Sequence, residues 1–322
     1  MMQYIIILLD DTSVSFCHYA NSQQKRHLMP LTTLKTGITY AMKENLNIQF
    51  VYPSYELPKE YLEAIDSIDH TDIKPCKAGA RADVVVIDGL EQADNCTFAR
   101  NVSYVLRTTK QDLFARTQDI CTILNNVERL NVTITDAEGF SDADFEEYEK
   151  VLGTLSQEVE KNYTSGNAIQ LNLLTDRMML DKMNNCGAGD NTITLAPDGK
   201  FYICPAFYLT EEEDGMGHMK IPVGDLENGL DIKNPLLYRL DHAPLCRHCD
   251  AYQCKRCIWL NRKTTLEVNT PSHEQCVMAH LERNASRKLL HAIRKYGEFL
   301  PECADIKEIS YLDPFDVRKE WK

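Results

Sequence analysis

Seven of the twelve cysteines in this 322-residue chain fall in one ordered pattern across its C-terminal third. Cys186 is followed by twelve residues, Gly199, four residues and Cys204; then come Cys246-x2-Cys249-x4-Cys254-x2-Cys257 and finally Cys276. Thiolate sulfur is the preferred ligand of zinc and of iron–sulfur clusters, and two-residue gaps let consecutive sulfurs converge on one metal. Cys246, Cys249, Cys254 and Cys257 alone would satisfy one tetrahedral site, by the logic that zinc ribbons use. Seven ligands exceed that need and suggest two centres, one with an incomplete cysteine set. His248 lies inside the first pair, with His242 and His273 nearby. Each is weighed as a substitute ligand, although such a histidine more often sits at the surface or supports a ligand.

The elements that must carry these cysteines are legible in the apolar patterning. Candidate strands are Gln3–Leu9, Asn47–Tyr52, Asp83–Asp88, Val102–Arg107, Asn131–Thr135 and Ile169–Leu174. Between them, Leu31–Asn45 repeats apolar residues at helical period, and Pro58–Ile68 opens with a proline suited to a first turn. Gln111–Val127 and Ser141–Asn162 read as longer helices, the latter led by Ser141 and Asp142 as N-cap candidates. Short, nearly all-apolar strands such as Val84–Ile87 suit a parallel sheet covered by helices. Six such units fit either an open partial barrel or a doubly wound sheet, with the unit between Asp83–Asp88 and Val102–Arg107 abbreviated. Past residue 180, Thr192–Leu195 and Phe201–Cys204 flank the turn signal Ala196-Pro197-Asp198-Gly199, a hairpin with Cys204 on its second strand. Val277–Phe299 reads as a terminal helix whose Arg283, Arg287, Lys288, Arg294 and Lys295 form a solvated basic side. The three segments are thus residues 1–180, 181–300 and a charged tail, 301–322.

A formal net charge of −13 repels phosphate backbones and anionic lipid, which sets nucleic acid and membrane surfaces aside as partners. The apolar run Tyr4–Leu9 has no basic flank and meets Asp10 and Asp11 at once, so it reads as a buried strand of a cytoplasmic protein. Cys17, Cys76, Cys96, Cys121 and Cys303 are scattered and read as small buried hydrophobes. No Gly-x-Gly-x-x-Gly or other phosphate-cradling loop is present.

The ordered cysteines resemble the SPASM domain of radical S-adenosylmethionine (SAM) peptide-modifying enzymes. That pattern is Cys-x(9–15)-Gly-x4-Cys, Cys-x2-Cys-x5-Cys-x3-Cys and a last Cys; this chain has x4 and x2 in place of x5 and x3. The resemblance implies that Cys246, Cys249, Cys254 and Cys276 hold one [4Fe–4S] cluster. It implies that Cys186, Cys204 and Cys257 hold a second, leaving one iron for another ligand or a substrate thiolate. The shorter loop leaves open a closure of Cys246, Cys249, Cys254 and Cys257 around a single zinc or cluster. A radical SAM barrel would also carry Cys-x3-Cys-x2-Cys after its first strand. Here the loop reads Ser13-Val14-Ser15-Phe16-Cys17-His18-Tyr19-Ala20, with only the middle cysteine kept. The glycine-pair turn that contacts SAM after the second strand is replaced by Tyr52-Pro53-Ser54-Tyr55-Glu56-Leu57-Pro58, so SAM is not expected as a cofactor.

The combined opening and cysteine pattern is similar to the CXXX repeat peptide maturases. The resemblance implies an α/β partial (β/α)6 barrel of radical SAM type followed by the cysteine-rich metal domain. It also implies a role in maturing a ribosomally made Cys-repeat peptide, with an intact radical SAM maturase as companion. The alternative from a different class is a zinc-ribbon binding module on an α/β scaffold. A third reading, chemistry at the barrel end, would draw on Asp10, Asp11, Arg107, Thr108, Asp136, Glu138, Asp176 and Arg177, although each is more readily a capping or solvated residue.

Overall fold

The strand order in the sheet follows the strand order in the chain. The computed structural model describes residues 2–77, 82–211, 213–214, 217–218 and 220–307. Its first seven strands are β1 (Tyr4–Leu8), β2 (Asn47–Val51), β3 (Thr71–Pro75), β4 (Val84–Asp88), β5 (Ser103–Thr108), β6 (Arg129–Ile134) and β7 (Gln170–Leu171). Each pairs in parallel with the next. On the free edge of β1 lies β8 (Thr192–Leu195), also parallel, followed by antiparallel β9 (Phe201–Tyr202). The α/β architecture with its parallel sheet is therefore the one expected, and all six expected strands form.

A seventh strand among these, β3, was not foreseen. Its sequence Thr-Asp-Ile-Lys-Pro buries only Ile73, so it offers no apolar run to detect. Conversely, Ile169–Leu174 pairs over two residues only, because Asn172 turns its side chain onto the backbone of Val132 in β6. β1 shows the opposite extreme, a central strand buried at four of five positions and apolar on both faces.

The connecting helices are α1 (Leu31–Lys43), α2 (Lys59–Ile65), α3 (Leu90–Ala93), α4 (Lys110–Ala115), α5 (Thr117–Leu124) and α6 (Asp142–Thr164). α1 buries Leu34, Ile38 and Ala41 on one stripe, and Gly37 lets it approach the sheet, since a Cβ there would lie 2.5 Å from Leu195 Cδ2. The four-residue α3 is the abbreviated unit. The single helix expected over Gln111–Val127 is two, broken at Arg116, whose φ of −121° leaves the helical region. α6 starts with a capping box between Ser141 and Asp144, as the Ser141 signal implied.

Beyond the sheet come α7 (Thr175–Met179), α8 (Ala206–Leu209), α9 (Ile258–Thr265) and α10 (His273–Ile293). The turn joining β8 to β9 needs Gly199, whose φ is +79°. Cys204 lies just past β9 rather than on it. α10 is not a solvated basic helix along its whole length. Arg283 is only 1% exposed and pairs with Asp250 at 2.8 Å, and the Ser286 hydroxyl donates to Leu174 O at 2.7 Å. Of the terminal stretch expected to be charged tail, residues 308–322 lie outside the described residues.

Two scattered cysteines are also corrected. Cys76 and Cys96 form a disulfide across 20 residues instead of serving as separate apolar fillers, whereas Cys121 is buried in α5 as expected. No helix among the described residues is long and apolar enough to cross a membrane.

Candidate metal centre

Two cavities adjoin at the cysteine-rich segment. The larger, about 630 Å³, runs from Ile6, Val105 and Thr133 on the strands to Cys186, Cys204 and Cys257, and it also reaches Cys17. The smaller, about 240 Å³, is lined by Cys246, Cys249, Cys254 and Cys276 together with His248 and His280. Cys254, Arg256, Gln275 and Ala279 line both and form the wall between them. All seven cysteines of the ordered pattern therefore face one cavity or the other. Cys257 lines the larger cavity with Cys254 but does not line the smaller one.

Local structure explains how the smaller set is gathered. The Cys246–Cys249 step folds as a turn, with Cys249 N donating to Cys246 O at 3.0 Å, and a second turn precedes Cys254, whose N donates to Ala251 O at 3.0 Å. The segment is then tied to α10, where Asp250 accepts from Arg283 and Gln253 Nε2 donates to Ala279 O at 2.7 Å. α10 itself brings in Cys276 near its start. Cys257 is the N-cap residue of α9. Cys186 is fixed by its own N–H, which donates to Lys255 O at 3.2 Å.

Burial governs the electrostatics. It pushes the thiols of Cys17 and Cys254 up to about 12 and that of Cys246 up to about 11. It also raises Cys204, Cys249 and Cys257. Neighbouring sulfurs add to this in two sets. Cys246 and Cys249 raise Cys254, while Cys186, Cys204 and Cys17 raise Cys257. Buried sulfurs that repel one another as thiolates are a donor set suited to a cationic metal centre, whose binding would release their protons. Among the described residues no three His, Cys, Asp or Glu side chains converge on a single ion. The thiols stand instead around cavity walls.

Three neighbours of this site escaped the sequence reading. His280 approaches a thiol, with Nε2 3.3 Å from Cys249 Sγ, and His248 lines the same small cavity. The available signal for His280 was its spacing of four from Cys276 on a helix, which puts both on one face. Burial lowers its pKa to about 4, so the ring is neutral. His242 instead contacts Asp241, and His273 stacks against Phe145. Arg256 is 3% exposed and spends one nitrogen on Tyr238 O. The third, Glu282, lines the larger cavity, accepting from Tyr148 Oη at 2.8 Å and from Gln253 Nε2 at 3.2 Å.

Burial raises the Glu282 carboxyl to about 7. The folded chain thus holds this proton more tightly than the unfolded chain, and the stabilisation present at acid pH is lost as pH rises towards 7. Glu282→Gln should therefore flatten the pH dependence, with its stability relative to wild type improving by ~3 kcal/mol between pH 4 and pH 8. Denaturation midpoints at the two pH values check this; parallel curves for the two proteins would refute it.

The barrel-end polar groups are mostly engaged. Asp10 accepts from Tyr55 Oη at 2.7 Å and from Thr12 N at 2.8 Å. Asp176 pairs with Arg129, Arg177 lies 3.6 Å from Asp250, and Asp136 accepts from Lys110 N. Glu138 is bound by Lys263 at 2.8 Å. Asp11 accepts from Tyr208 Oη, Thr108 Oγ1 donates to Thr109 O, and Arg107 donates to the loop that holds Cys17. Ser13, where the resemblance would put a cysteine, is buried and donates to Val51 O at 2.9 Å, while Ala20 is exposed.

No family model matches the chain, and no curated protein matches it. Solved structures do. Streptococcus suis SuiB bound to precursor peptide SuiA superposes with a TM-score of 0.50 at 11% identity, covering 85% of this chain and 76% of that one. Histidine-tagged anSMEcpe with bound AdoMet covers 91% of this chain and 96% of its own, with a TM-score of 0.47 and 12% identity. The fold is thus the α/β, parallel-sheet partial barrel of radical SAM type over most of the chain.

Proposed function

We propose that this chain is an iron–sulfur protein of radical SAM/SPASM type that takes part in maturing a ribosomally made Cys-repeat peptide, as the partner of an intact radical SAM maturase that cleaves SAM in its place. The observation that carries the reading is the division of the seven cysteines between two adjoining cavities. Cys246, Cys249 and Cys276 line one, Cys186, Cys204 and Cys257 the other, and Cys254 stands in the wall between them, a grouping compatible with the one that the SPASM resemblance implies. Sulfurs spread around a cavity suit a cluster, which takes one thiolate per iron. A zinc ion would draw four sulfurs to within ~2.3 Å of one point.

Such a centre, when bound, supplies one-electron transfer at a potential tuned by hydrogen bonds and burial. The residues of this chain would hold it, shield it and leave room beside it. The larger cavity combines strand side chains such as Asn131 and Thr133 with the Glu282 carboxyl, a surface able to accept an extended peptide segment. The acidic surface favours a basic partner segment. Solved SuiB holds its precursor peptide, and that likeness motivates the peptide assignment here.

Anaerobic purification with iron, sulfide and zinc analysis tests the metal. About eight irons per chain are expected for two four-iron centres. A colourless protein with stoichiometric zinc would support the zinc-ribbon module instead. Incubated with reductant and SAM, the chain alone should yield no 5′-deoxyadenosine above a cluster-free control, because Ser13 and Ala20 replace two of three thiolates. Deleting it while keeping the companion maturase should abolish peptide modification; an unchanged rate would remove the peptide role.

A further inference from the structure

The larger cavity brings a fourth sulfur to Cys186, Cys204 and Cys257, and it comes from the other end of the sequence. Cys17 sits on the loop after β1 and lines the same cavity. We propose that Cys17 is the fourth thiolate of this centre, so that the one cysteine kept in the degenerate loop closes the auxiliary site instead of serving SAM. This rests on the iron–sulfur reading above and deepens it: the iron left open by the three motif cysteines is taken by the chain itself, not by a substrate thiolate.

The loop is built to hold that sulfur in place. Arg107, at the end of β5 and only 4% exposed, donates from Nε to Cys17 O at 2.9 Å and from Nη2 to Tyr19 O at 2.6 Å. Tyr19 meets Trp259 edge-on at 6.5 Å, which ties the loop to α9, the helix that Cys257 caps. Cys17 lines this cavity with Cys186, Cys204 and Cys257 and does not line the smaller one, whereas Cys254, the other thiol here, also lines the smaller cavity with Cys246, Cys249 and Cys276. That difference separates the two sets.

The cavity also waits for an acceptor-rich occupant. Arg256 Nε and Nη1, Tyr19 Oη and Trp259 Nε1 line it and find no hydrogen-bond partner among the described residues. All three residues are at most 3% exposed. Leaving such donors unmet is expensive, and the sulfur atoms of a cluster are acceptors that hydrogen bonds of this kind tune.

The test is anaerobic reconstitution of the full chain with iron and sulfide, followed by iron analysis and electron paramagnetic resonance of the reduced protein. Wild type is compared with Cys17→Ala, Cys17→Ser, Cys257→Ala and His18→Ala. Cys17→Ala and Cys257→Ala should each lose about four irons per chain or keep a three-iron form, with the signal of the other centre persisting as a check on folding. Cys17→Ser should change the resonance spectrum of the same centre, because oxygen replaces sulfur on one iron, and this variant decides the matter if Cys17→Ala does not fold. His18→Ala should retain the wild-type iron. Wild-type iron and an unchanged spectrum in both Cys17 variants, with loss in Cys257→Ala, would overturn the proposal and leave the iron–sulfur reading standing. Loss in His18→Ala alone would overturn it in favour of the imidazole. A wild-type chain that takes up no iron would remove both.

Discussion

Replacing Cys249 with alanine should strip one whole centre from the protein, lowering iron by about four atoms per chain and roughly halving the brown absorbance. The reason lies in how little else organises that segment. Between Ala243 and Ala251 the buried apolar residues are two alanines and Cys246 itself, so hydrophobic burial contributes little and metal binding would contribute most of the order. Cys249 also meets His280 on α10, so its loss loosens the attachment of the loop to the helix. Cys121→Ala provides the contrast, because that thiol is buried in α5 among core residues and should leave iron content unchanged. Full iron retention in Cys249→Ala would show that the smaller cavity is not a cluster site.

The second large effect is expected at Asp250. Its carboxylate accepts two hydrogen bonds from Arg283, at 3.0 and 2.8 Å, and lies 3.6 Å from Arg177. Arg283 is all but sealed from solvent. Removing one member of a buried pair leaves the other charge uncompensated, which costs about 3–5 kcal/mol. Asp250→Ala should therefore lower the denaturation midpoint sharply and weaken metal retention, since Asp250 neighbours Cys249. Asp250→Asn, which keeps an acceptor but not the charge, should fall between. A midpoint for Asp250→Ala within about 0.5 kcal/mol of wild type would mean that Arg283 finds another partner or reaches water.

Much of the scaffold was legible because its signals are local. A strand such as β1 is declared by an unbroken apolar run, and α6 by Ser141 followed by a 3.6-period stripe. β3 escaped because it buries only Ile73, although it pairs with a strand on each side, and so shows no apolar run. The break at Arg116 escaped because the periodic pattern continues across it. The basic side assigned to α10 failed at Arg283 because sequence periodicity tells which residues share a face but not what that face meets.

The same distinction runs through the site. Cysteine spacing alone was enough to mark seven ligand candidates and to imply two groups, because two-residue gaps are a short-range geometric constraint that any fold must respect. Spacing could not say which cavity each sulfur faces: Cys254 lines both cavities and Cys257 only the larger. Nor could it join Cys17 to Cys186, Cys204 and Cys257. Those residues are separated by most of the chain and meet only because β8 returns to pair with β1, bringing the loop after the first strand against the cysteine-rich segment. Sequence determines which side chains can be ligands and how near neighbours must turn. Long-range strand pairing decides which of them share a cavity, because that contact depends on packing between segments whose separation along the chain carries no geometric information.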